Sequence, residues 1–360
     1  MTRRRVPDER VRERGRPTRR SVLAWLGACG AMACRARLGG APGAEEHDHP
    51  SPPEPPASER GAPPLTEKAN PSPLDDPAAH TPFGPLLTRA VPRTGELLPV
   101  IGMGTWQTFD VGAGAQERAP LREVLRTFLA EGGRVLDSSP MYGRAEEVCG
   151  DLLAEDDVRV VGTPFLATKV WTTGRREGIA EMERSLRRMR TERMDLMQVH
   201  NLLDWRTHLP VLRDWKRAGK IRYLGVTHYQ RSAFGELERL LRTEELDFIQ
   251  LPYNVLERAA ERRLLPAAAD TGTAVLVMQP FGSGELFRQV RGRPLPDWAS
   301  DVDCTSWAQL FLKFVLGHPA VLSPLPATSN PKHLADNVQA GRGRLPDEAL
   351  RQRLVQELTG

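Results

Sequence analysis

The chain has 360 residues and a formal net charge of +4 at pH 7. Its first twenty residues hold nine arginines and three acidic residues, a balance of +6, so the rest of the chain carries −2. Because the positive charge is confined to one end, the remaining residues give no reason to expect a surface that binds nucleic acid.

Residues 1–40 have the features of an export signal. Thr18-Arg19-Arg20-Ser21-Val22-Leu23 has the twin-arginine pattern, and an apolar run from Val22 to Ala33 follows it. That run is shorter than the roughly 20 residues that a membrane-spanning helix needs. The pattern predicts transport by the twin-arginine export machinery to the periplasm or cell envelope. The alternative interpretation is that these residues form a basic tail, or that the start codon has been assigned too far upstream.

Two cysteines in this leader are candidates for lipid attachment. Cys29 follows Leu26-Gly27-Ala28 and Cys34 follows Ala31-Met32-Ala33, and both contexts resemble a bacterial lipoprotein cleavage site. A lipid anchor at Cys29 or Cys34 is therefore a second hypothesis for how the protein is localised. Cys149 and Cys304 are far apart and lack metal-ligand spacing, so we expect them to be buried and predict no metal site.

Residues 41–82 are predicted to form a disordered, proline-rich linker. Of the 31 prolines, 15 fall between Pro42 and Pro99, and proline disfavours regular structure. The acidic and histidine cluster at 45–49 is interpreted as part of this solvated linker rather than as a metal site. Order is predicted from about Leu86 onward, within a domain of residues 83–360.

The predicted domain opens with a hairpin and then alternates helices with strands. Leu86–Val91 and Leu97–Ile101 flank a turn and predict the hairpin. Leu121, Val124, Leu125, Phe128 and Leu129 form the apolar stripe of a helix, and further stripes follow Asp137 and Lys169. Eight strands are predicted: 100–105, 134–136, 165–168, 196–199, 223–227, 248–251, 274–278 and 321–325.

Eight strands alternating with helices predict a closed parallel (β/α)8 TIM barrel in the α/β class. An open doubly wound sheet is the competing architecture, but it should carry a Gly-x-Gly-x-x-Gly turn after an early strand. Gly102-Met103-Gly104 lacks the third glycine, so the barrel is favoured.

Four polar residues lie where barrel strands should end. Asp137, Lys169 and His200 each close a β-rich run, about thirty residues apart, and Tyr142 lies five residues beyond Asp137. Polar residues at the carboxyl ends of successive barrel strands are typical of an active site. A lysine in a buried strand also needs a partner for its charge.

Several segments in this order resemble the aldo/keto reductase family. The resemblance runs from about Leu86 to the C-terminus and rests on these segments: Gly102–Trp106, Leu136–Gly143, Ala167–Val170, Gln198–Asn201, Arg222–Tyr229, Gln250–Asn254 and Leu325–Pro331. It implies reduction of a carbonyl compound with a nicotinamide cofactor that supplies the hydride.

The residue types suit that chemistry. Tyr142 is the expected proton donor, and a cationic Lys169 beside it should lower its pKa, with Asp137 keeping Lys169 charged. His200 is expected to donate a hydrogen bond to the carbonyl oxygen.

The resemblance also implies a set of cofactor-binding residues, and the start of the last predicted helix suits an anion. Asn330 at its N-cap, before Pro331, presents N–H groups to a phosphate. The implied set is Gly104, Thr105, Trp106, Asp137, Asn201, Thr227, His228, Gln250, Met278, Pro280, Gly282, Ala327, Thr328, Asn330, His333, Asp336 and Asn337.

Several of these positions depart from the family pattern. The family often has Lys at the position of Ala327 and Arg at that of His333, where both grip the 2′-phosphate. A Ser-Asn pair is replaced by Thr227-His228, and Met278 replaces a stacking tyrosine. NADP(H) is the preferred cofactor by the resemblance, and because these departures weaken the grip on its 2′-phosphate, NAD(H) is the alternative.

The substrate pocket is expected to be walled by tryptophans. Trp106, Trp171 and Trp205 follow the ends of the first, third and fourth barrel strands. Few residues follow Glu348, so an open pocket for bulky carbonyls is expected. The leading function is an exported NAD(P)-dependent carbonyl reductase or alcohol dehydrogenase. The alternative is a nucleotide-binding sensor with little turnover.

Overall fold

The computed structural model describes residues 83–359. The predicted export signal (1–40) and linker (41–82) lie outside the described residues. The strands are β1 (Thr88–Ala90), β2 (Leu97–Pro99), β3 (Met103–Gly104), β4 (Val135–Asp137), β5 (Phe165–Val170), β6 (Met194–Val199), β7 (Ile221–Thr227), β8 (Phe248–Pro252), β9 (Ala274–Met278) and β10 (Val321–Pro324).

Helices fill the connections between these strands. They are α1 (Ala115–Ala130), α2 (Ala145–Leu153), α3 (Asp156–Arg159), α4 (Arg175–Arg188), α5 (Trp205–Arg217), α6 (Phe234–Thr243), α7 (Leu264–Thr271), α8 (Glu285–Gln289), α9 (Trp307–Leu316), α10 (Pro331–Gln339) and α11 (Glu348–Thr359). Short 3-10 helices occupy His200–Leu202, Arg231–Ala233, Ala259–Arg262, Gly282–Gly284 and Asp297–Val302.

Strands β3 to β10 form one parallel sheet in chain order. The sheet closes because Gly102 N–H donates to Pro324 O and Gly104 N–H to Pro326 O, each at 3.0 Å. A Cβ on Gly102 would lie 2.6 Å from Leu325 Cδ2, so glycine permits this close approach. The predicted (β/α)8 TIM barrel is confirmed.

The predicted hairpin is also present, and it covers one end of the barrel. β1 and β2 pair antiparallel, with Thr88 opposite Pro99. Val91 and Leu98 belong to the cluster that fills the barrel interior with residues such as Phe165 and Phe248. Because the hairpin is packed against this interior, the opposite end of the barrel is left for a site.

The predicted helix stripe on α1 is buried, from Leu121 to Leu129, and packs in the layer between helices and strands. Cys149 and Cys304 are both buried. Within residues 83–359, none of the helices has the length and apolar character needed to cross a membrane. The same residues contain no group of three or more His, Cys, Asp or Glu that could hold a metal ion.

Candidate active site

The carboxyl ends of the barrel strands surround a cavity of about 750 Å³. Asp137 is the last residue of β4, Lys169 the penultimate residue of β5, and His200 directly follows β6. Asp137, Tyr142 and His200 line the cavity, and Lys169 is fully buried beside Asp137. The structure therefore brings the four predicted residues together, although Lys169 lies within its strand rather than after it.

Lys169 and Asp137 form a buried ion pair. Lys169 Nζ donates to Asp137 Oδ2 at 2.6 Å and to Ser138 O at 2.7 Å. Gln198 and Gln250 donate their side-chain N–H groups to the same carboxylate, at 3.3 and 3.1 Å. Burial alone would lower the pKa of Lys169, but Asp137 and Tyr142 leave that pKa raised, so the ammonium stays charged.

The phenol of Tyr142 contacts this ammonium. Lys169 Nζ lies 5.2 Å from the centroid of the Tyr142 ring. Burial raises the pKa of Tyr142, and the charge of Lys169 lowers it by a smaller amount, so the pKa ends above the ordinary value of a phenol. The expectation of a lowered pKa is therefore wrong in its net direction, because desolvation of the phenolate outweighs the neighbouring cation.

His200 is held neutral beside Tyr142. Its ring meets the tyrosine edge-on, with centroids 5.8 Å apart at 84°. Burial, followed by the charge of Lys169 and by His228, lowers the pKa of His200 to about 3. At neutral pH the imidazole therefore carries a single proton, on one of its two nitrogens.

Ser139 selects which nitrogen carries that proton. Its hydroxyl oxygen accepts from Met141 N–H at 3.2 Å and lies 3.0 Å from His200 Nδ1. The buried Ser139 hydroxyl also has a hydrogen that needs an acceptor, and His200 Nδ1 can accept it. The proton of the neutral imidazole is then on Nε2. Sequence reasoning missed Ser139, although it lies only two residues beyond Asp137.

Part of the predicted cofactor set also lines the cavity: Gly104, Thr105, Trp106, Asn201, Gln250, Met278, Pro280 and Ala327. Asn201 Oδ1 and Gln250 Oε1 are buried and have no hydrogen-bond partner among residues 83–359. Asn201 also adopts a left-handed conformation, with φ of 51°. Two unpartnered carbonyl oxygens in one cavity fit a ligand that presents an amide NH₂, as a nicotinamide does.

The other predicted cofactor residues lie outside the lining of this cavity: Thr227, His228, Gly282, Thr328, Asn330, His333, Asp336 and Asn337. Asn330 caps α10 by accepting from Lys332 N–H at 3.0 Å. Both carboxylate oxygens of Asp336 already accept, from Ser306 Oγ at 2.7 Å and Gln309 Nε2 at 2.6 Å. Asp336 therefore ties α10 to α9, which the family resemblance did not predict.

The three predicted tryptophans separate into two groups. Trp106 and Trp171 line the cavity. Trp205, the first residue of α5, does not line it. Its ring instead packs against the guanidinium groups of Arg206 and Arg239, at 4.3 and 5.1 Å.

The lining also includes large apolar residues that the sequence did not single out, namely Met141, Tyr229, Phe281 and Phe287. Tyr229 lies two residues past the end of β7, so the rule that sites gather at strand ends applies to it as well. Phe287 lies on the short helix α8, which no pattern in the sequence connects with the site.

A parallel β/α barrel with a buried Asp–Lys pair beside Tyr and His has the architecture of an aldo/keto reductase. The profile of the Aldo/keto reductase family matches residues 100–353. The chain belongs to the aldo/keto reductase family.

Individual relatives are similar at moderate identity. Aldo-keto reductase YhdN of Bacillus subtilis is 30% identical over 201 residues, which cover 52% of this chain and 59% of YhdN. Methylglyoxal reductase YeaE of Escherichia coli is 28% identical over 247 residues, covering 67% of this chain and 84% of YeaE. A Klebsiella pneumoniae aldo/keto reductase, solved with NADP and acetate, is 26% identical with a TM-score of 0.61, covering 72% of this chain and 93% of that one.

Proposed function

We propose that this protein is an NAD(P)H-dependent oxidoreductase that reduces aldehydes or ketones to alcohols, or catalyses the reverse reaction. The observation that carries the proposal is the buried ammonium of Lys169, paired with Asp137 and placed against the phenol of Tyr142. A family relative solved with NADP supports the cofactor class. The test is NADPH-dependent reduction of a generic aldehyde by the purified protein.

In this mechanism the proton comes from the protein. When bound, the nicotinamide supplies the hydride. Tyr142 donates its proton to the developing alkoxide, and the charge of Lys169 stabilises the phenolate that remains. His200 Nε2–H donates a hydrogen bond to the carbonyl oxygen and orients the substrate. Asp137 keeps Lys169 charged and in place.

NADP(H) is the preferred cofactor in this proposal, and NAD(H) is the alternative. The carbonyl oxygens of Asn201 and Gln250 would accept from the carboxamide, and Met278 would pack on the ring. Lys332 and His333 are both exposed at the start of α10, where the ammonium of Lys332 suits a 2′-phosphate. Titration calorimetry should give a lower Kd for NADP⁺ than for NAD⁺, and equal values would remove this preference.

The rate of reduction should show no titration near pH 6.5. His200, with a pKa of about 3, stays neutral from about pH 5.5 to 8.5, and Tyr142, with its raised pKa, stays protonated as a donor. Reduction should therefore be lost only as the pH rises past the raised pKa of Tyr142. The check is kcat against pH with saturating NADPH. An activity limb centred near pH 6.5 that disappears in His200→Gln would contradict the neutral imidazole.

Ser139→Ala should lower kcat about fivefold, the loss expected for one hydrogen bond of about 1 kcal/mol. Ser139 is a positioning residue that acts through His200, so the ¹⁵N signals of the imidazole should change from an Nε2–H pattern to a mixture of tautomers. Ser139→Thr keeps the hydroxyl and should restore both the rate and the spectrum. Unchanged imidazole signals in the Ala variant would contradict the positioning role.

We also propose that the chain is exported by the twin-arginine route to the periplasm or cell envelope. The support is the Arg19-Arg20 motif and the apolar run after it. That route carries folded proteins, so nucleotide would be loaded before export and retained. Fractionation of the native cells tests this, with Arg19→Lys/Arg20→Lys as the matched variant. Equal envelope levels of the two forms would contradict the route.

A further inference from the structure

Exposed apolar side chains gather around the mouth of the active-site cavity. Within residues 83–359 the large hydrophobic residues with the most exposure are Leu97, Trp106, Met141, Val160, Trp171, Tyr229, Leu256 and Phe287. Five of these eight line the cavity, and each of the five is between 40% and 47% exposed. Scattered exposed hydrophobics are normal in soluble proteins, whereas a cluster of this kind marks a binding surface.

These five residues form what we call the apolar rim: Trp106, Met141, Trp171, Tyr229 and Phe287. They come from the segments after five different strands, β3, β4, β5, β7 and β9, so they surround the cavity rather than cover one side of it. The rigid barrel therefore presents apolar surface toward a ligand from several directions.

Several rings of the rim are held by neighbours. Phe287 packs against Phe281 and Phe311, with centroids 4.8 and 5.8 Å away. The Trp171 ring lies 6.3 Å from the ring of His200, which places the rim next to the reacting groups. Aromatic walls fixed in this way favour flat, apolar ligands.

The cavity offers almost no charge to a ligand. Among its lining residues only Asp137 is ionic, and its two oxygens already accept from Lys169, Gln198 and Gln250. Lys169 is fully buried, and His200 is neutral. A phosphate or carboxylate on the substrate would lose its water without gaining a cationic partner.

We infer that the substrate is a neutral aromatic aldehyde or ketone with at least two fused rings, whose body contacts the apolar rim while its carbonyl oxygen reaches Tyr142 and His200. Sugar phosphates and other anionic carbonyls are excluded as good substrates. This inference rests on the proposed carbonyl reduction and adds to it the chemical class of the substrate.

A matched pair of substrates tests the charge. Methyl 6-formyl-2-naphthoate and its free carboxylate have the same ring system and differ in charge. The neutral ester should have a kcat/KM at least about 30-fold higher, because the carboxylate is desolvated without a partner. Equal values, or a preference for the carboxylate, would overturn the inference.

Variants of the rim test the contact with the rings. Trp171→Ala and Phe287→Ala should each raise KM for 2-naphthaldehyde about 5- to 20-fold and raise KM for propanal less, because propanal has no ring to contact the apolar rim. Leu97→Ala is the matched control, since Leu97 is 64% exposed on the hairpin at the other end of the barrel. If the control and rim variants behave alike, the rim does not bind the substrate.

Binding measured without turnover separates this inference from the proposed reaction. Tyr142→Phe loaded with NADPH, whose nicotinamide ring is uncharged, should bind 2-naphthaldehyde in a calorimetric titration and should not bind 6-formyl-2-naphthoate. If the wild type reduces propanal and anionic aldehydes as well as it reduces naphthaldehyde, the proposed carbonyl reduction is supported and the inferred substrate class is wrong. If the protein neither reduces nor binds any carbonyl compound, both the proposed reaction and the inferred substrate class are wrong.

Discussion

Tyr142→Phe is expected to lower kcat for aldehyde reduction by a factor of roughly 10² to 10⁴, the usual contribution of a positioned general acid. The phenyl ring keeps the packing against His200 and Lys169, and only the proton donor is lost. NADPH oxidation followed at 340 nm under single-turnover conditions measures this loss.

Two controls accompany this variant. The affinity for NADP⁺ should stay within about twofold of wild type, because the amide oxygens of Asn201 and Gln250 remain in place. Tyr223→Phe removes a phenol whose hydroxyl lies 2.9 Å from Thr94 Oγ1 in the hairpin that covers the other end of the barrel, and it should keep its kcat. A Tyr142→Phe protein as active as wild type would contradict the assignment of Tyr142 as the proton donor. It would favour the alternative function, a nucleotide-binding sensor.

Asp137→Asn is expected to lower the free energy of unfolding by about 3 to 5 kcal/mol, because it leaves a buried ammonium without its counter-charge. Lys169 is 0% exposed, so water cannot replace the lost carboxylate. Urea unfolding followed by circular dichroism measures the change, and kcat should fall in the same variant.

A double variant separates the buried charge from general damage to the site. Asp137→Asn/Lys169→Met removes both charges and should recover part of the lost stability, although not the activity. The exposed pair Arg159–Asp156 provides the comparison, since Asp156→Asn should cost less than about 1 kcal/mol. Equal losses at the buried and exposed pairs would contradict the importance of burial.

The sequence predicted the barrel and the position of its site because both depend on periodic patterns. Alternating strand and helix signals place Asp137, Lys169 and His200 at one end of a parallel sheet, whatever the details of packing. The hairpin was predictable in the same way, from two short runs that flank a turn.

Features that depend on packing between distant elements were not predictable. The net pKa shift of Tyr142 reflects how deeply the fold buries it, which residue types alone do not reveal. Phe287 reaches the cavity from a helix with no recognisable motif. Asp336 pairs with Ser306 and Gln309, from a helix that begins about thirty residues earlier in the chain. Each of these features depends on which residues the fold brings together from distant parts of the chain.

The closure between β3 and β10 has a consequence for dynamics. β3 pairs with β4 through only two residues. On its other side, the hydrogen bonds that join it to the end of β10 are donated by the amides of Gly102 and Gly104. Fluctuations that open the ring should begin where so few backbone bonds hold it. Gly104 also borders the cavity. A bound nucleotide would therefore stabilise the hydrogen bonds between β3 and β10 and slow the exchange of the Gly102 and Gly104 amide hydrogens with solvent.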